Sequence, residues 1–182
     1  GFPIGRIAVN ISARQLGQSD FVEKVRSVLE RSGLSPDCLE LELTETVLMY
    51  DLENCMHRLQ GLRDLGVSVA IDDFGTGYSS LFYLQKLPVS RVKIDQSFVK
   101  GITARSQETL PLIRAIVDLA HGLGLTVIAE GVETQNQLEA LASAGCDLVQ
   151  GYLIHRPQRA NQAEAAFLRL SRHGAARIRV AG

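Results

Sequence analysis

Segments typical of β-strands alternate strictly with segments typical of amphipathic helices along this chain of 182 residues. Six strand–helix units predict an α/β fold with a parallel sheet and right-handed crossovers. A (β/α)8 TIM-type barrel needs eight units and about 250 residues, so six units predict an incomplete barrel. No Gly-x-Gly-x-x-Gly follows a strand, so a dinucleotide-binding fold has no support. The predicted strands are Ile7–Ser12, Leu39–Glu45, Ser68 to the Asp72–Asp73 pair, Arg91–Asp95, Thr126–Glu130 and Leu148–Leu153.

Helical spacing of apolar residues and glycine stops place the helices between these strands. They are predicted through Phe21, Val25, Val28 and Leu29 to Gly33, over Leu52–Leu65 before Gly66, through Leu81, Leu84 and Leu87, over Thr109–Leu123, over Gln135–Ala144 and over Gln162–Ser171. Pro111 fits only the first turn of its helix. One domain is expected over residues 1–173, with a small basic tail at 174–182.

Composition and charge narrow the class of protein. Hydrophobic residues make up 46% of the chain, which indicates a globular domain. A net charge of −1 argues against a broad nucleic-acid or membrane surface, so neither DNA binding nor membrane contact is expected. Cys38, Cys55 and Cys146 form no zinc pattern or disulfide framework, and no apolar run reaches a membrane span. We expect a cytoplasmic domain, within a parent protein that is either soluble or membrane-anchored.

Most of the predicted strands end in a polar residue on the same side. Successive side chains of a strand point to opposite faces, and the apolar face is the one expected beneath the helices of a barrel. The polar face would then turn to the lumen, at the carboxyl end where such sheets bind ligands. The residues concerned are Asn10, Glu42, Asp72, Lys93, Glu130 and Gln150.

An acidic rim of this kind predicts a divalent-cation site. Crowded carboxylates need compensation, and Lys93 is the main cation expected to oppose Glu42, Asp72, Asp73 and Glu130. Oxygen ligands without a His or Cys grouping favour Mg²⁺ or Mn²⁺ over Zn²⁺. Two such ions suit the hydrolysis of phosphate esters, and a lysine beside them stabilises a phosphate oxygen or transition-state charge. The alternative is that each acid is a turn or cap residue.

Six short motifs, in order along the chain, make it resemble the EAL-domain family of phosphodiesterases that linearise cyclic di-GMP. Each is weak alone, but six in order are highly specific. They are Val9-Asn10-Ile11-Ser12, Glu42-Leu43-Thr44-Glu45, Asp72-Asp73-Phe74-Gly75-Thr76-Gly77, Lys93-Ile94-Asp95, Glu130-Gly131-Val132-Glu133 and Gln150-Gly151-Tyr152. The resemblance implies a (β/α)8 barrel that binds two Mg²⁺ or Mn²⁺ ions and releases linear pGpG.

The resemblance also implies a role for each matched residue. Metal ligands would be Asn10, Glu42, Asp72 and Glu130, with Asp73 also at the metal site. Lys93 would orient water or steady the phosphate, and Gln150 would complete the metal and water shell. Glu45 would hold the Asp73–Gly77 loop and couple metal binding to a dimer interface. Glu133 would lie on the substrate side of the pocket, together with Asp73. Tyr152 either borders a guanine base there or is buried behind the rim.

One family motif is missing from the sequence. The family is named for Glu-x-Leu-x-Arg on an early strand, which supplies a metal ligand and a substrate-binding arginine. The letters Glu139-Ala140-Leu141 do occur, but in a predicted helix, with Ser143 where the arginine should stand. The true motif is expected upstream of Gly1. The chain is therefore interpreted as the last three quarters of such a domain, without its first two βα units.

Two functions of different classes remain open. The first is an enzyme that hydrolyses cyclic di-GMP when the domain is complete, the isolated chain being weakly active or inactive. The second is a degenerate or truncated EAL domain that binds cyclic di-GMP or a protein without turnover. A different phosphate-binding barrel enzyme is a third, without a competing motif. A homodimer and an upstream sensor or GGDEF domain are the expected partners.

Several other residues are interpreted as structural. No partner acid is predicted for the four histidines, and a lone histidine needs an oriented partner to act. Ser79 and Ser80 are expected to cap a helix. The Phe82–Leu84 segment is either a dimer patch or plain core. The histidines are His57, His121, His155 and His173.

Overall fold

Strands and helices alternate along the described chain, as the sequence predicts. The structure is a computed structural model that describes residues 6–50, 52–77, 84–103, 108–159, 162 and 179–180. It forms two compact units, Gly1–Lys93 and Ile94–Gly182. Within the described ranges, every helix is too short or too polar to cross a bilayer.

The first unit is built on four neighbouring strands in the order β1-β2-β3-β4. β1 runs parallel to β2, and β2 runs parallel to β3. The register places Asn10 opposite Glu42, and Glu42 opposite Ala70. Asn10 and Glu42 are therefore aligned, whereas Asp72 lies opposite Thr44, two residues farther along β2. The bounds are Ile7–Asn10 for β1, Leu39–Thr44 for β2, Ser68–Phe74 for β3 and Arg91–Ile94 for β4, whose last residue begins the second unit.

Helices of the first unit begin and end where local chemistry dictates. β1 is shorter than its predicted Ile7–Ser12, because the Ser12 hydroxyl accepts a hydrogen bond from Gln15 N (3.3 Å) and so caps α1. Gly33 ends α2 at φ +66°, a left-handed conformation that glycine adopts readily. The helices are α1 (Ala13–Leu16), α2 (Phe21–Ser32), a 3-10 turn (Pro36–Cys38), α3 (Glu45–Tyr50) and α4 (Leu52–Asp64).

Part of the predicted segment after β3 lies outside the described residues. Leu84 is helical and buried, which places this residue in the core rather than on an exposed patch. Ser79, Ser80, Leu81, Phe82 and Tyr83 are not among the described residues.

The second unit repeats the alternation around strands in the order β5-β6-β7, with both neighbouring pairs parallel. Pro111 lies in the first turn of its helix, as predicted. β7 lies in the tail, where no sequence pattern predicted a strand. Most of the predicted helix Gln162–Ser171 lies outside the described residues. The elements are α5 (Gln96–Lys100), α6 (Leu110–Gly122), β5 (Thr126–Ala129), α7 (Gln135–Ser143), β6 (Leu148–Val149) and β7 (Arg179–Val180).

β6 is only two residues long, against the predicted Leu148–Leu153. Beyond Val149, Gln150 N still donates to Ala129 O at the end of β5 (2.9 Å), and the backbone then bonds to the loop that follows β5. Val132 N donates to Gln150 O (3.1 Å), and Leu153 N donates to Val132 O (2.9 Å). This exchange joins the two loops at the carboxyl ends of β5 and β6.

His121 does have an acidic partner, contrary to the sequence interpretation. Its Nε2 lies 2.9 Å from Asp147 Oδ2. The same carboxylate oxygen accepts a hydrogen bond from the backbone of Val127 (2.7 Å). The two residues lie 26 positions apart in sequence, so no local sequence pattern predicts the pair. It ties the end of α6 to the start of β5, which is a structural role.

Cys146 is buried and is expected to be unreactive. Burial raises the pKa of its thiol from 9.0 to about 12, and the neighbouring Asp147 carboxylate adds to the increase. Iodoacetamide at pH 8 should therefore label half-buried Cys38 in the native protein but spare Cys146, since the thiolate is the nucleophile. Mass spectrometry checks the labelling, and unfolded protein is the control. Labelling of native Cys146 at the unfolded rate would contradict the assignment.

The same shift has a consequence for stability. The folded pKa lies above the unfolded one, so this thiol contributes stability that is fully present below about pH 9. That contribution is lost as the pH rises from 9.0 towards about 12.

Candidate functional site

Lys93 lies between two carboxylates from different strands of the first unit. Its Nζ is 2.8 Å from Glu42 Oε2 and 3.3 Å from Asp72 Oδ1. Lys93 is 3% exposed and Glu42 is 6% exposed. A buried ammonium so placed compensates charges that could not share this space alone. These three residues, predicted as a group from the sequence, are brought together.

A small residue on the strand between them makes this contact possible. β2 and β4 flank β3, and neighbouring strands lie about 4.8 Å apart, so Glu42 and Lys93 must reach across β3. Ala70 of β3 stands beside Glu42 in the register and is completely buried. A larger side chain there would occupy the space in which the charges meet.

Asp73 breaks the alternation of β3. It is the one described residue other than glycine with a positive φ, at +53°, a region that Asp enters more readily than most residues. Its backbone N donates to Asp72 Oδ1 (3.0 Å), while its carbonyl accepts from the Thr76 hydroxyl (2.8 Å). A carboxylate oxygen of each aspartate lies within 4.8 Å of the other. The turn thus gathers two acids that strand geometry alone would have placed on opposite faces.

Glu45 supports the loop that follows this turn. It is the first residue of α3 and is 8% exposed. A Cβ added at Gly77 would lie 2.9 Å from Glu45 Oε1, so the loop backbone packs directly on this carboxylate. Glu45 Oε2 is buried and has no hydrogen-bond partner in the described chain.

The donor set of the first unit fits a hard divalent cation. Asn10 ends β1 opposite Glu42 and is exposed. With Glu42, Asp72 and Asp73 it offers three carboxylates and an amide, all oxygen ligands of the kind that Mg²⁺ and Mn²⁺ prefer. Lys93 offsets only part of their negative charge. No donor in this set needs to be replaced for such an ion to bind.

A second ionic group on the same face was missed by the sequence interpretation. Glu40, two residues before Glu42, is 2% exposed and contacts both Arg91 and Arg6. Strand alternation was the available signal, since Glu40 shares a face with Glu42 just as Arg91 shares one with Lys93. The face therefore carries two successive rows of charge.

The second unit contains an open cavity of about 390 Å³ at its strand ends. Four residues predicted from the sequence line it, in the loops that follow β5 and β6. Acidic, basic and amide side chains line this cavity together with the backbone of two glycines, and this lining suits a polar ligand. The lining residues are Gln96, Lys100, Glu130, Gly131, Glu133, Gln150, Gly151 and Tyr152.

Close backbone contacts hold the rim of this cavity. A Cβ at Gly151 would lie 2.2 Å from Val132 O and 2.3 Å from Val132 N. A Cβ at Gly131, where φ is +68°, would lie 2.6 Å from the Cβ of Gln96. Both positions therefore require glycine. The backbone N of Glu130 is bound to Ile94 O (3.1 Å), so the strand below the rim is also fixed.

Two side chains that the sequence interpretation overlooked support the predicted cavity residues. Gln137 is buried, and its Oε1 accepts from Glu133 N (2.8 Å) while its Nε2 donates to Val99 O (3.2 Å). The sequence Thr134-x-x-Gln137 is a capping box and was a usable signal. The Arg156 guanidinium lies 4.6 Å from the ring centroid of Tyr152, which is 51% exposed.

The letters Glu139-Ala140-Leu141 lie inside α7, as predicted. Ala140 and Leu141 are buried, and Glu139 accepts a hydrogen bond from Gln135 one turn earlier. This segment therefore packs as an ordinary helix and supplies no strand-end ligand.

Comparisons with known proteins agree with the sequence resemblance. Residues 2–157 match the model of the EAL domain family. The chain is 51% identical over 152 residues to the cyclic di-GMP phosphodiesterase NbdA of Pseudomonas aeruginosa, covering 84% of this chain and 19% of NbdA. The chain spans about a fifth of the length of the first curated relatives it matches.

Solved structures confirm the fold class. A structure of the PaMucR phosphodiesterase in a cyclic di-GMP complex matches with a TM-score of 0.82 and 44% identity, over 87% of this chain and 64% of that one. A manganese and cyclic di-GMP complex of BlrP1 from Klebsiella pneumoniae matches with a TM-score of 0.77 and 34% identity, over 85% and 40%. The fold is that of the EAL TIM-type barrels, and the chain forms part of such a barrel.

Proposed function

Because this chain belongs to the EAL domain family, we propose that it supplies most of a domain that hydrolyses cyclic di-GMP to linear pGpG. The observation that carries the proposal is the burial of Lys93 between the Glu42 and Asp72 carboxylates. Charges from separate strands are brought into contact there with little solvent. The names of NbdA and of the PaMucR complex support the choice of nucleotide.

The first unit would provide the hydrolytic groups. Asn10, Glu42, Asp72 and Asp73, with Glu130 added by the family resemblance, would hold two Mg²⁺ or Mn²⁺ ions. Such ions supply Lewis-acid activation of water and neutralise phosphate charge, and the BlrP1 complex contains manganese.

The protein's own side chains then have separate tasks in the proposed reaction. Lys93 orients the attacking water or donates a hydrogen bond to a phosphate oxygen, where charge develops. Water attacks phosphorus, and the 3′ oxygen of the cleaved ester leaves. Glu45 keeps the Asp73–Gly77 loop in place through its contact with Gly77.

The second unit would provide nucleotide contacts. Its cavity of about 390 Å³ is lined by Glu130, Glu133, Gln150 and Tyr152. Gln150 would complete the shell around water and metal, while Glu133 and Tyr152 would face the substrate. The exposed ring of Tyr152 offers a flat surface for a base.

The assembly is also part of the proposal. We propose a cytoplasmic domain that forms a homodimer, with a sensor or GGDEF domain upstream in the parent protein. The proposed coupling between dimer and site passes through Glu45, which packs on the loop after β3.

An assay of cyclic di-GMP hydrolysis by the full-length protein distinguishes an enzyme from a binding module. Cyclic di-GMP should disappear and pGpG should accumulate with Mg²⁺ or Mn²⁺, and EDTA should stop the reaction. Equilibrium dialysis with the same preparation measures binding separately. Tight nucleotide binding without pGpG formation would contradict the enzyme and favour the signalling module. The absence of both binding and cleavage would contradict both proposed functions.

A further inference from the structure

Glu40 and Arg91 form an ionic row next to the one that contains Glu42 and Lys93. The Glu40 side chain is 3% exposed, and Arg91 Nη1 lies 3.2 Å from Glu40 Oε1 and 3.1 Å from Glu40 Oε2. Arg6 Nη1 approaches Glu40 Oε2 at 3.4 Å, from a side chain that is 36% exposed. Two guanidinium groups thus share one carboxylate, and the row carries a net positive charge.

Arg91 has the means to reach the neighbouring row. Residues two apart on a strand share a face and lie about 6.6 Å apart, and Glu42 stands two residues from Glu40 just as Lys93 stands two from Arg91. A guanidinium binds a carboxylate through a planar fork, which an ammonium cannot do. An Arg91 without its own carboxylate would therefore compete for Glu42.

We propose that Glu40 is a positioning residue that engages Arg91 and so keeps this guanidinium away from Glu42. Glu42 then remains available to Lys93 and to a divalent cation. The proposal rests on the metal site of the proposed function, but it concerns a residue that touches neither metal nor substrate. It makes Glu40 important for metal affinity through its charge rather than through packing.

Mn²⁺ titration of the full-length protein tests this with four proteins: wild type, Glu40→Gln, Arg91→Gln and the double variant. Glu40→Gln keeps the shape of the side chain and should weaken Mn²⁺ binding by about tenfold, because it frees a positive charge about 7 Å from a ligand. The double variant lacks the competing guanidinium and should bind within about threefold of wild type. Arg91→Gln alone should bind Mn²⁺ at least as tightly as wild type.

The pattern of the four affinities separates positioning from packing. If the row only supports the fold, the substitutions should change the free energy of unfolding, and the folded variants should all bind Mn²⁺ like wild type. A double variant that binds Mn²⁺ no better than Glu40→Gln would overturn the proposal, as would Glu40→Gln binding like wild type. Arg6→Gln is the matched control and should leave the affinity unchanged, because that side chain approaches from the exposed side.

A loss of folding must be distinguished from a loss of Mn²⁺ binding. Circular dichroism establishes that each variant is folded. If Glu40→Gln alone does not fold, the double variant decides: binding within about threefold of wild type supports the proposal, and a tenfold loss overturns it. A wild-type protein that binds no Mn²⁺ would remove both the proposed metal site and this inference, whereas normal wild-type binding with four equal affinities would remove this inference alone.

Discussion

Lys93→Ala should lower cyclic di-GMP hydrolysis by the full-length protein about a hundredfold to a thousandfold. The side chain contacts Glu42 at 2.8 Å and Asp72 at 3.3 Å, and it is almost fully buried. Steady-state rates of pGpG formation give the effect, and we expect it mainly in kcat, because charge on the phosphate grows as the transition state forms.

Two companion variants make this result specific. Glu42→Gln keeps the shape of the side chain but removes a charge, so it should also lower turnover by orders of magnitude and weaken Mn²⁺ binding. Lys24→Ala removes an exposed lysine on α2 that pairs with Asp20, and it should leave turnover unchanged. Near wild-type rates for both Lys93→Ala and Glu42→Gln would show that the chemistry occurs elsewhere.

Stability distinguishes a catalytic loss from an unfolded protein. Lys93→Ala leaves two buried carboxylates without their ammonium, and breaking a buried pair in this way destabilises proteins by about 3 kcal/mol. Mn²⁺ should restore part of that stability by taking over the compensation of charge. Thermal melts with and without Mn²⁺ measure this, and a variant that is folded, stabilised by Mn²⁺ and inactive is the expected outcome.

Gly151→Ala should destabilise the second unit by about 3 kcal/mol. The added methyl group would lie 2.2 Å from Val132 O, which belongs to the backbone and cannot rotate away. Relief requires the two loops to separate, which breaks the hydrogen bonds from Val132 N and from Leu153 N. Because Gly151 also lines the cavity, nucleotide affinity should fall together with stability. Urea unfolding and equilibrium dialysis measure the two effects.

Gly122→Ala is the matched substitution for this experiment. Gly122 ends α6, and a Cβ there would have nothing within 4 Å. Alanine favours the helix over glycine, so this variant should be slightly more stable than wild type. If Gly151→Ala were as harmless as Gly122→Ala, the loops would not be joined as described.

Sequence periodicity predicted the parallel α/β elements well because each signal was local. Ser12, Gly33 and Pro111 act within one turn of chain, through a cap, a left-handed stop and a first-turn proline. Strand ends were less predictable. β6 stops at Val149, and the Gln150 carbonyl accepts a hydrogen bond from Val132 in the loop after β5, a tertiary contact that no local pattern predicts.

The residues of the candidate site were also predictable only where the signal was local. Alternation along β2, β3 and β4 predicts Glu42, Asp72 and Lys93 on one face, and these residues do meet. The same rule places Glu40 on this face, although it stands two residues before Glu42 and away from the strand end. The His121–Asp147 pair required the fold itself, since no spacing rule connects a helix end with a residue 26 positions later.

At position 73, the stability of the backbone and the proposed metal site favour different residues. Glycine occupies the left-handed region without the steric penalty of a Cβ, so a glycine there would relieve about 1 kcal/mol of conformational strain. The same change would delete an acid from the rim of the sheet. A descendant that no longer used the proposed metal site would therefore gain thermal stability on losing this acid.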